Sequence, residues 1–231
     1  LGRAEFFESI GARLGTKLIL YFPICDYRLE RNIVDPYVIG LLGKTDGITT
    51  LVRFPPAASV DLGDFVKPRT VVYDTPGREF QSGRVDDREL TPADDERLVN
   101  ALVWCDVAVA GPSTAVIDAA LFNKPVMLID LYPRDLPDEG RIYEYGAEHI
   151  ANILAAGGAQ LVRSEREFFA ALNRYLEHPE ADALGRECIV REQCWQCDGK
   201  ACERLARLVH AYASSGHRAL GDQKTRNSPG R

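Results

Sequence analysis

Short apolar runs recur along the chain, each closed by a proline, a glycine or a polar turn. The first, Lys17-Leu-Ile-Leu-Tyr-Phe22, ends at Pro23, and its unbroken apolar stretch is the pattern of a strand buried on both faces. Runs of the same kind stand at residues 48–54, 70–73, 106–110 and 125–130, with a later one at 160–163. Between them apolar residues return at helical spacing. Residues 1–14 carry Phe6, Phe7, Ile10 and Leu14 and stop at Gly15, residues 94–104 set Leu98, Ala101 and Leu102 on one face, and residues 36–42 and 114–122 read the same way. Three helical stretches follow the last strand, at 164–177, 180–192 and 198–213. Strand and helix in alternation predict an α/β fold: a Rossmann-like doubly wound parallel sheet with a helical C-terminal cap. Residues 76–95 are polar and rich in Gly, Pro and Asp, and read as a long connection without an element of its own.

The ends of the chain look different. Residues 1–15 read as a lead-in helix from a preceding N-terminal domain, an expectation drawn from Met127 being the only methionine. Nothing there resembles a secretory leader. Residues 216–231 hold four basic residues, one acid and little apolar content, and read as a disordered basic tail. Residues 16–215 form the domain between them.

Composition narrows the partners. With 45% hydrophobic and 27% charged residues in a chain of 231, a real core is expected. A net charge of -6 argues against a nonspecific binder of nucleic acid, which needs a basic field. No apolar stretch approaches the roughly 20 residues of a membrane helix. The six cysteines are irregularly spaced in a chain too large for a disulfide scaffold, which points to a reduced, cytoplasmic protein with room for peripheral contact at the inner face of the membrane. Cys194-x-x-Cys197 with Cys188 and Cys202 invites a zinc reading, but no second chelating pair follows, so no metal is expected and the thiols read as structural.

The segment from Cys105 to Asp130 carries the most chemistry. It reads strand, tight turn, helix, turn, strand. Gly111 and Pro112 form the turn; the glycine would let a ligand approach the backbone, Ser113 would cap the helix, and the free N–H groups at Ser113, Thr114 and Ala115 would face an anion. Thr114 and Asp118 lie one helical turn apart, so a diphosphate at the helix start would extend its ribose toward the Asp118 carboxylate. The plainer alternative is a capped helix with a solvated acid. Arg53, at the end of a buried strand, reads either as a phosphate clamp or as half of an ion pair.

The run from Asp106 to Pro125, with Ser113-Thr114, Asp118 and Lys124-Pro125, resembles the donor-binding half of GT-B glycosyltransferases, and is similar to bacterial surface-carbohydrate and CDP-glycerol glycerophosphotransferase-like proteins. The resemblance extends from Arg3-Ala-Glu-Phe-Phe7 to Asp198-Gly-Lys-Ala-Cys-Glu-Arg-Leu-Ala206. It implies one half of a GT-B architecture, with Ser113 and Thr114 as ligands of nucleotide phosphates and Asp118 as a ribose ligand. It also implies a glycan or lipid acceptor, a partner domain and no cofactor beyond the nucleotide-activated donor. His149, in Tyr143-Glu-Tyr-Gly-Ala-Glu-His-Ile150, is placed by the resemblance near the interdomain cleft as a candidate catalytic residue. One departure stands out: such proteins often carry His-Pro after the basic residue of the second strand, whereas Arg53 is followed by Phe54-Pro55-Pro56. Two alternatives keep the same architecture, a non-hydrolysing UDP-sugar 2-epimerase and a degenerate nucleotide-binding scaffold. P-loop, dinucleotide and nucleophile-elbow motifs are missing from the sequence.

Overall fold

Strand β1 (Lys17–Phe22) pairs in parallel with β2 (Ile48–Arg53) on one side and with β6 (Val107–Ala110) on the other. The computed structural model describes residues 1–25, 32–56, 60, 62–80, 88–134 and 142–214. Among these, β3 (Val71–Asp74), β7 (Val126–Ile129) and β8 (Ala159–Val162) complete a six-stranded sheet in the order β3-β2-β1-β6-β7-β8, parallel throughout. Counting only these strands, the order is 3-2-1-4-5-6, the doubly wound arrangement whose direction of winding reverses between β1 and β6. The expected Rossmann-like α/β sheet is therefore the observed fold.

Alternation along the strands assigns each side chain to a face. Ile19, Tyr21, Val52, Val109, Met127 and Ile129 point into one core, closed by α2 (Val34–Gly43) through Val38 and Leu42 and by α6 (Glu165–Glu177) through Phe168 and Leu172. Leu18, Leu20, Leu51, Ala108 and Leu128 point into the other. There α1 (Arg3–Ser9), α3 (Pro92–Trp104), α4 (Ala115–Leu121), α5 (Glu148–Ala155) and α7 (Ala183–Cys194) cover them. Each such Leu, Ile, Val or Phe taken out of water stabilises the fold by about 1.5–3 kcal/mol. Runs apolar at every position are what a sheet covered on both faces requires.

Several boundaries move. The first helix ends at Ser9 rather than at residue 14, because Gly11 supplies the left-handed backbone (φ +68) that stops it. Its Phe6 and Phe7 are buried against the sheet. Residues 76–95 are not a structureless connection: β4 (Arg78–Glu79) pairs antiparallel with β5 (Arg88–Glu89), and Pro92 already opens α3 behind a Thr91 cap. Two-residue strands lie below the length at which a periodic signal can be read.

A buried arginine fixes the turn between α4 and β7. Arg186 is 0% exposed, and donates from Nε to Asn123 Oδ1 (2.8 Å), from Nη1 to the Ala181 carbonyl (2.5 Å) and from Nη2 to the Pro179 carbonyl (2.9 Å). Neutral acceptors thus satisfy a buried cation, whose pKa burial lowers.

The chain divides into two compact units, the first spanning Leu1–Gln193. In the second, from Cys194, the helix α8 (Ala201–Ser214) leaves Leu205, Leu208, Val209 and Tyr212 exposed, and Arg204 grips both carboxylate oxygens of Asp198 at 2.9 Å. The tail expected at 216–231, with His217, lies outside the described residues. No helix among the described residues is long and apolar enough to cross a membrane.

Candidate functional site

Open parallel sheets bind ligands at the carboxyl ends of their strands, where the winding reverses. Phe22, Ala110 and Leu128 stand side by side in register, and Leu128 faces Leu161. Beyond these ends come the β1–α2 loop with Ile24, the β6–α4 turn with Pro112, and Asp130 and Arg163, which directly follow β7 and β8. The starts of α4 and α5 lie at the same edge, since each helix runs back toward the next strand.

The β1–α2 loop is organised by Asp35, a fully buried carboxylate. Oδ1 accepts from the Tyr21 hydroxyl (2.5 Å) and the Ile24 N–H (2.8 Å), and Oδ2 accepts from the Cys25 N–H (3.0 Å) and Asn32 Nδ2 (2.5 Å). Successive N–H groups that elsewhere cradle a phosphate are here filled by the chain's own acid. Holding them requires Cys25 at φ +55, a conformation side chains seldom adopt. Burial, aided by the Asp35 charge, raises the Tyr21 phenol well above its ordinary pKa and pushes the Cys25 thiol up to about 12. Sequence reasoning missed Asp35. The signal is the Asn32-x-x-Asp35 spacing, which lets the Asn32 amide hold Asp35 twice: Nδ2 donates to the carboxylate and Oδ1 accepts the Asp35 backbone N–H at 3.2 Å.

A Cβ built on Gly111 would lie 2.6 Å from Ile24 Cγ1, so the absent side chain seats the β1 loop against the β6 turn. Ser113 Oγ accepts the Ala115 N–H at 3.3 Å, while Thr114 occupies the cap position with helical backbone and no side-chain cap bond. Ser113 and Thr114 are exposed and Pro112 and Ala115 partly so. Among the described residues no acceptor takes the Ser113 or Thr114 N–H. Asp118 is half-buried, has no hydrogen-bond or ion-pair partner among the described residues, and has its pKa raised by burial. It is thus neither a solvated surface acid nor a paired one.

Arg53 is an ion-pair residue. Only 7% exposed, it donates from Nη1 to Asp74 Oδ2 (2.5 Å) and from Nη2 to the Asp94 carbonyl (3.0 Å), while Arg97 approaches the other Asp74 oxygen at 3.7 Å. Its guanidinium ties β2 to β3 and to the start of α3, with Nη1 and Nη2 each already donating, which is the ion-pair alternative the sequence offered. Phe54, where the resemblance called for histidine, packs edge-on against Tyr73 with ring centroids 5.2 Å apart.

His149 is exposed as the second residue of α5, at the same edge as Ser113, and nothing among the described residues pairs with it. Beside it the Tyr145 hydroxyl donates to the Ile129 carbonyl at 2.6 Å. Asp130 accepts from the Tyr132 hydroxyl (3.0 Å) and from Arg163 Nε (3.2 Å). This pair, too, escaped sequence reasoning; its only signal is that both residues directly follow strands. Among the described residues no cluster of three or more His, Cys, Asp or Glu side chains is arranged to hold a metal. A cavity of 630 Å³ opens beside the start of α2, between Asn32, Pro36, Leu62, Asp64 and Phe65.

No family model matches the chain, and no curated protein does. Solved structures do resemble it. The wall teichoic acid polymerase TagF (H444N variant) is similar at 15% identity and a TM-score of 0.48, over 92% of this chain and 48% of that one. WaaG, a glycosyltransferase involved in lipopolysaccharide biosynthesis, is similar at 14% identity and a TM-score of 0.49, over 90% and 50%. The UDP-GlcNAc 2-epimerase from Neisseria meningitidis, bound to UDP-GlcNAc, is similar at 14% identity and a TM-score of 0.47, over 90% and 48%. The chain spans about half the length of each of these structures.

Proposed function

We propose that this chain binds the nucleoside-diphosphate-activated donor of a glycosyl or glycerophosphate transferase, at the edge formed by the β6–α4 turn. The observation that carries this reading is Asp118, a half-buried carboxylate without a partner among the described residues, one helical turn beyond Ser113 and Thr114, whose N–H groups no described acceptor takes. The N–H groups suit the diphosphate, and the carboxylate suits ribose hydroxyls, which donate to it in charge-assisted bonds. Oriented N–H dipoles that hold the leaving group, a nucleoside diphosphate in glycosyl transfer or a nucleoside monophosphate in glycerophosphate transfer, stabilise the charge that develops on it as the bond to the transferred moiety breaks. His149, at the same edge, is the side chain available to move a proton. The acceptor, a glycan or lipid hydroxyl, and the base that activates it belong to a further domain in this reading.

Calorimetric titration of the chain with UDP, CDP and GDP tests the proposal. Weak binding of at least one is expected, unchanged by EDTA. No heat from any of them at millimolar concentration sinks the donor site, and a strict requirement for a divalent ion sinks the account based on N–H groups. A second reading, a nucleotide-binding domain without transfer activity, is favoured by Arg53, whose guanidinium is occupied by Asp74 rather than offered to a phosphate.

A further inference from the structure

The Asp130–Arg163 pair is built like a holder for something else. Arg163 meets Asp130 through Nε alone, at 3.2 Å, and its side chain is 62% exposed. Among the described residues nothing takes a hydrogen bond from its Nη1 or Nη2. Asp130 is itself held, since its other oxygen accepts from the Tyr132 hydroxyl, which in turn accepts the Ile142 N–H at 2.8 Å. The backbone beneath is also fixed: the Arg163 N–H donates to Glu167 Oε2 at 2.8 Å, behind the Ser164 cap of α6. An arginine clamped at Nε by a fixed acid presents its two terminal nitrogens as a preorganised fork, the geometry that matches a carboxylate or phosphate with two parallel bonds.

Place in the fold says which oxyanion. Arg163 directly follows β8, two strands from β6, a separation of about 10 Å across the sheet. Tyr145, three residues before α5, donates to the Ile129 carbonyl, one residue before Asp130, and so ties the approach to α5 to this end of β7. The fork therefore belongs to the same edge as Ser113, Thr114 and Asp118, within the length of one activated donor.

We propose that Arg163 is a second oxyanion-binding residue of this edge, taking an anionic group of the donor at its free guanidinium end. The inference rests on the donor-site reading above. The oxyanion has two possible sources, the phosphate distal to the nucleoside and an acidic group on the moiety transferred.

Calorimetry on the full chain distinguishes them, using wild type, Arg163→Gln, Arg163→Lys and, as a control of equal charge change, Arg166→Gln, an exposed residue of α6. If the distal phosphate is the ligand, Arg163→Gln weakens UDP, CDP or GDP by about tenfold or more and leaves the matching monophosphate unchanged. If the acid lies on the transferred moiety, Arg163→Gln weakens UDP-glucuronate but not UDP-glucose or UDP. In either case Arg163→Lys recovers only part of the loss, because an ammonium cannot fork, and Arg166→Gln changes nothing. Equal binding of every probe by wild type and Arg163→Gln overturns the proposal, as does an equal loss in Arg166→Gln, which marks a general field effect. A loss shared by every probe, with a lowered melting temperature, marks a folding role and overturns it too. Failure of wild type to bind any probe is a separate outcome that removes the donor site itself and this inference with it.

Discussion

Arg53 and Asp74 occupy facing positions of β2 and β3 and join their side chains at 2.5 Å, with 7% and 6% of their surfaces exposed. Such a pair gains little over a well-packed apolar pair, but removing Arg53 leaves the buried Asp74 carboxylate with Arg97, 3.7 Å away, as its remaining counter-charge. Arg53→Met should therefore lower stability by about 3 kcal/mol, the low end for a broken buried pair. The double variant Arg53→Met with Asp74→Leu should recover much of it. Urea unfolding measures both, and a single variant as stable as wild type would show that the pair is wetter than its exposure implies.

Asp118 separates a binding role from a structural one. Asp118→Asn keeps shape and removes charge, so nucleotide affinity should fall by about tenfold, corresponding to a charge-assisted bond of roughly 1.5–3 kcal/mol. Thermal stability should hold or rise slightly, since burial already raises the carboxyl pKa in the fold. A 2′-deoxynucleotide should bind the variant with a smaller deficit than it shows against wild type. Additive losses in that comparison would place the ribose elsewhere.

Gly111 and Ile24 should be coupled. Gly111→Ala places a methyl 2.6 Å from Ile24 Cγ1 and displaces the β1 loop, at a cost of about 1–3 kcal/mol for overpacking. Ile24→Ala should relieve part of that cost, giving a double variant more stable than the sum of the single effects predicts. Independent effects would mean that the turn is not seated on Ile24.

Stability should decline in alkali. Burial pushes the thiols of Cys25 and Cys105 from 9.0 to about 12, and the Tyr37 phenol, with the Glu165 carboxylate against it, from 10.0 to about 12. The unfolded chain releases these protons first, so their contribution is complete below about pH 9 and is lost as pH climbs toward about 12. Melting temperatures measured from pH 8 to 11 should fall, and Cys105→Ala should flatten part of the decline relative to its own value at pH 8. A profile independent of pH across that range would contradict the burial of these groups.

The Cys194–Cys202 cluster should be free of stoichiometric zinc by elemental analysis, with its thiols titrating as free under denaturing conditions. Cys197 and Cys202 are exposed rather than buried as core thiols, and bound zinc would overturn the expectation that no metal is held there.

What the sequence determined by itself is the sheet. Lys17–Phe22 and the runs like it are short, largely apolar and closed by turn residues, which fits strands covered on both faces, and the helical stretches between them supply the crossovers that parallel strands need. The β6–α4 turn was legible for the same local reason: Gly111, Ser113 and Asp118 lie within one strand–turn–helix unit whose geometry is fixed by neighbours in sequence. The tertiary structure decided the rest. Arg53 became half of an ion pair because β3 lies beside β2 and brings Asp74 opposite it. Gly111 became a seat for Ile24 because β1 adjoins β6, although 87 positions separate the two residues along the chain. Asp130 and Arg163 meet across adjacent strands, a pairing no spacing in the chain announces. Periodicity reports which side of an element is buried, whereas the partner of a polar group depends on which elements become neighbours, and that is fixed only when the sheet is wound.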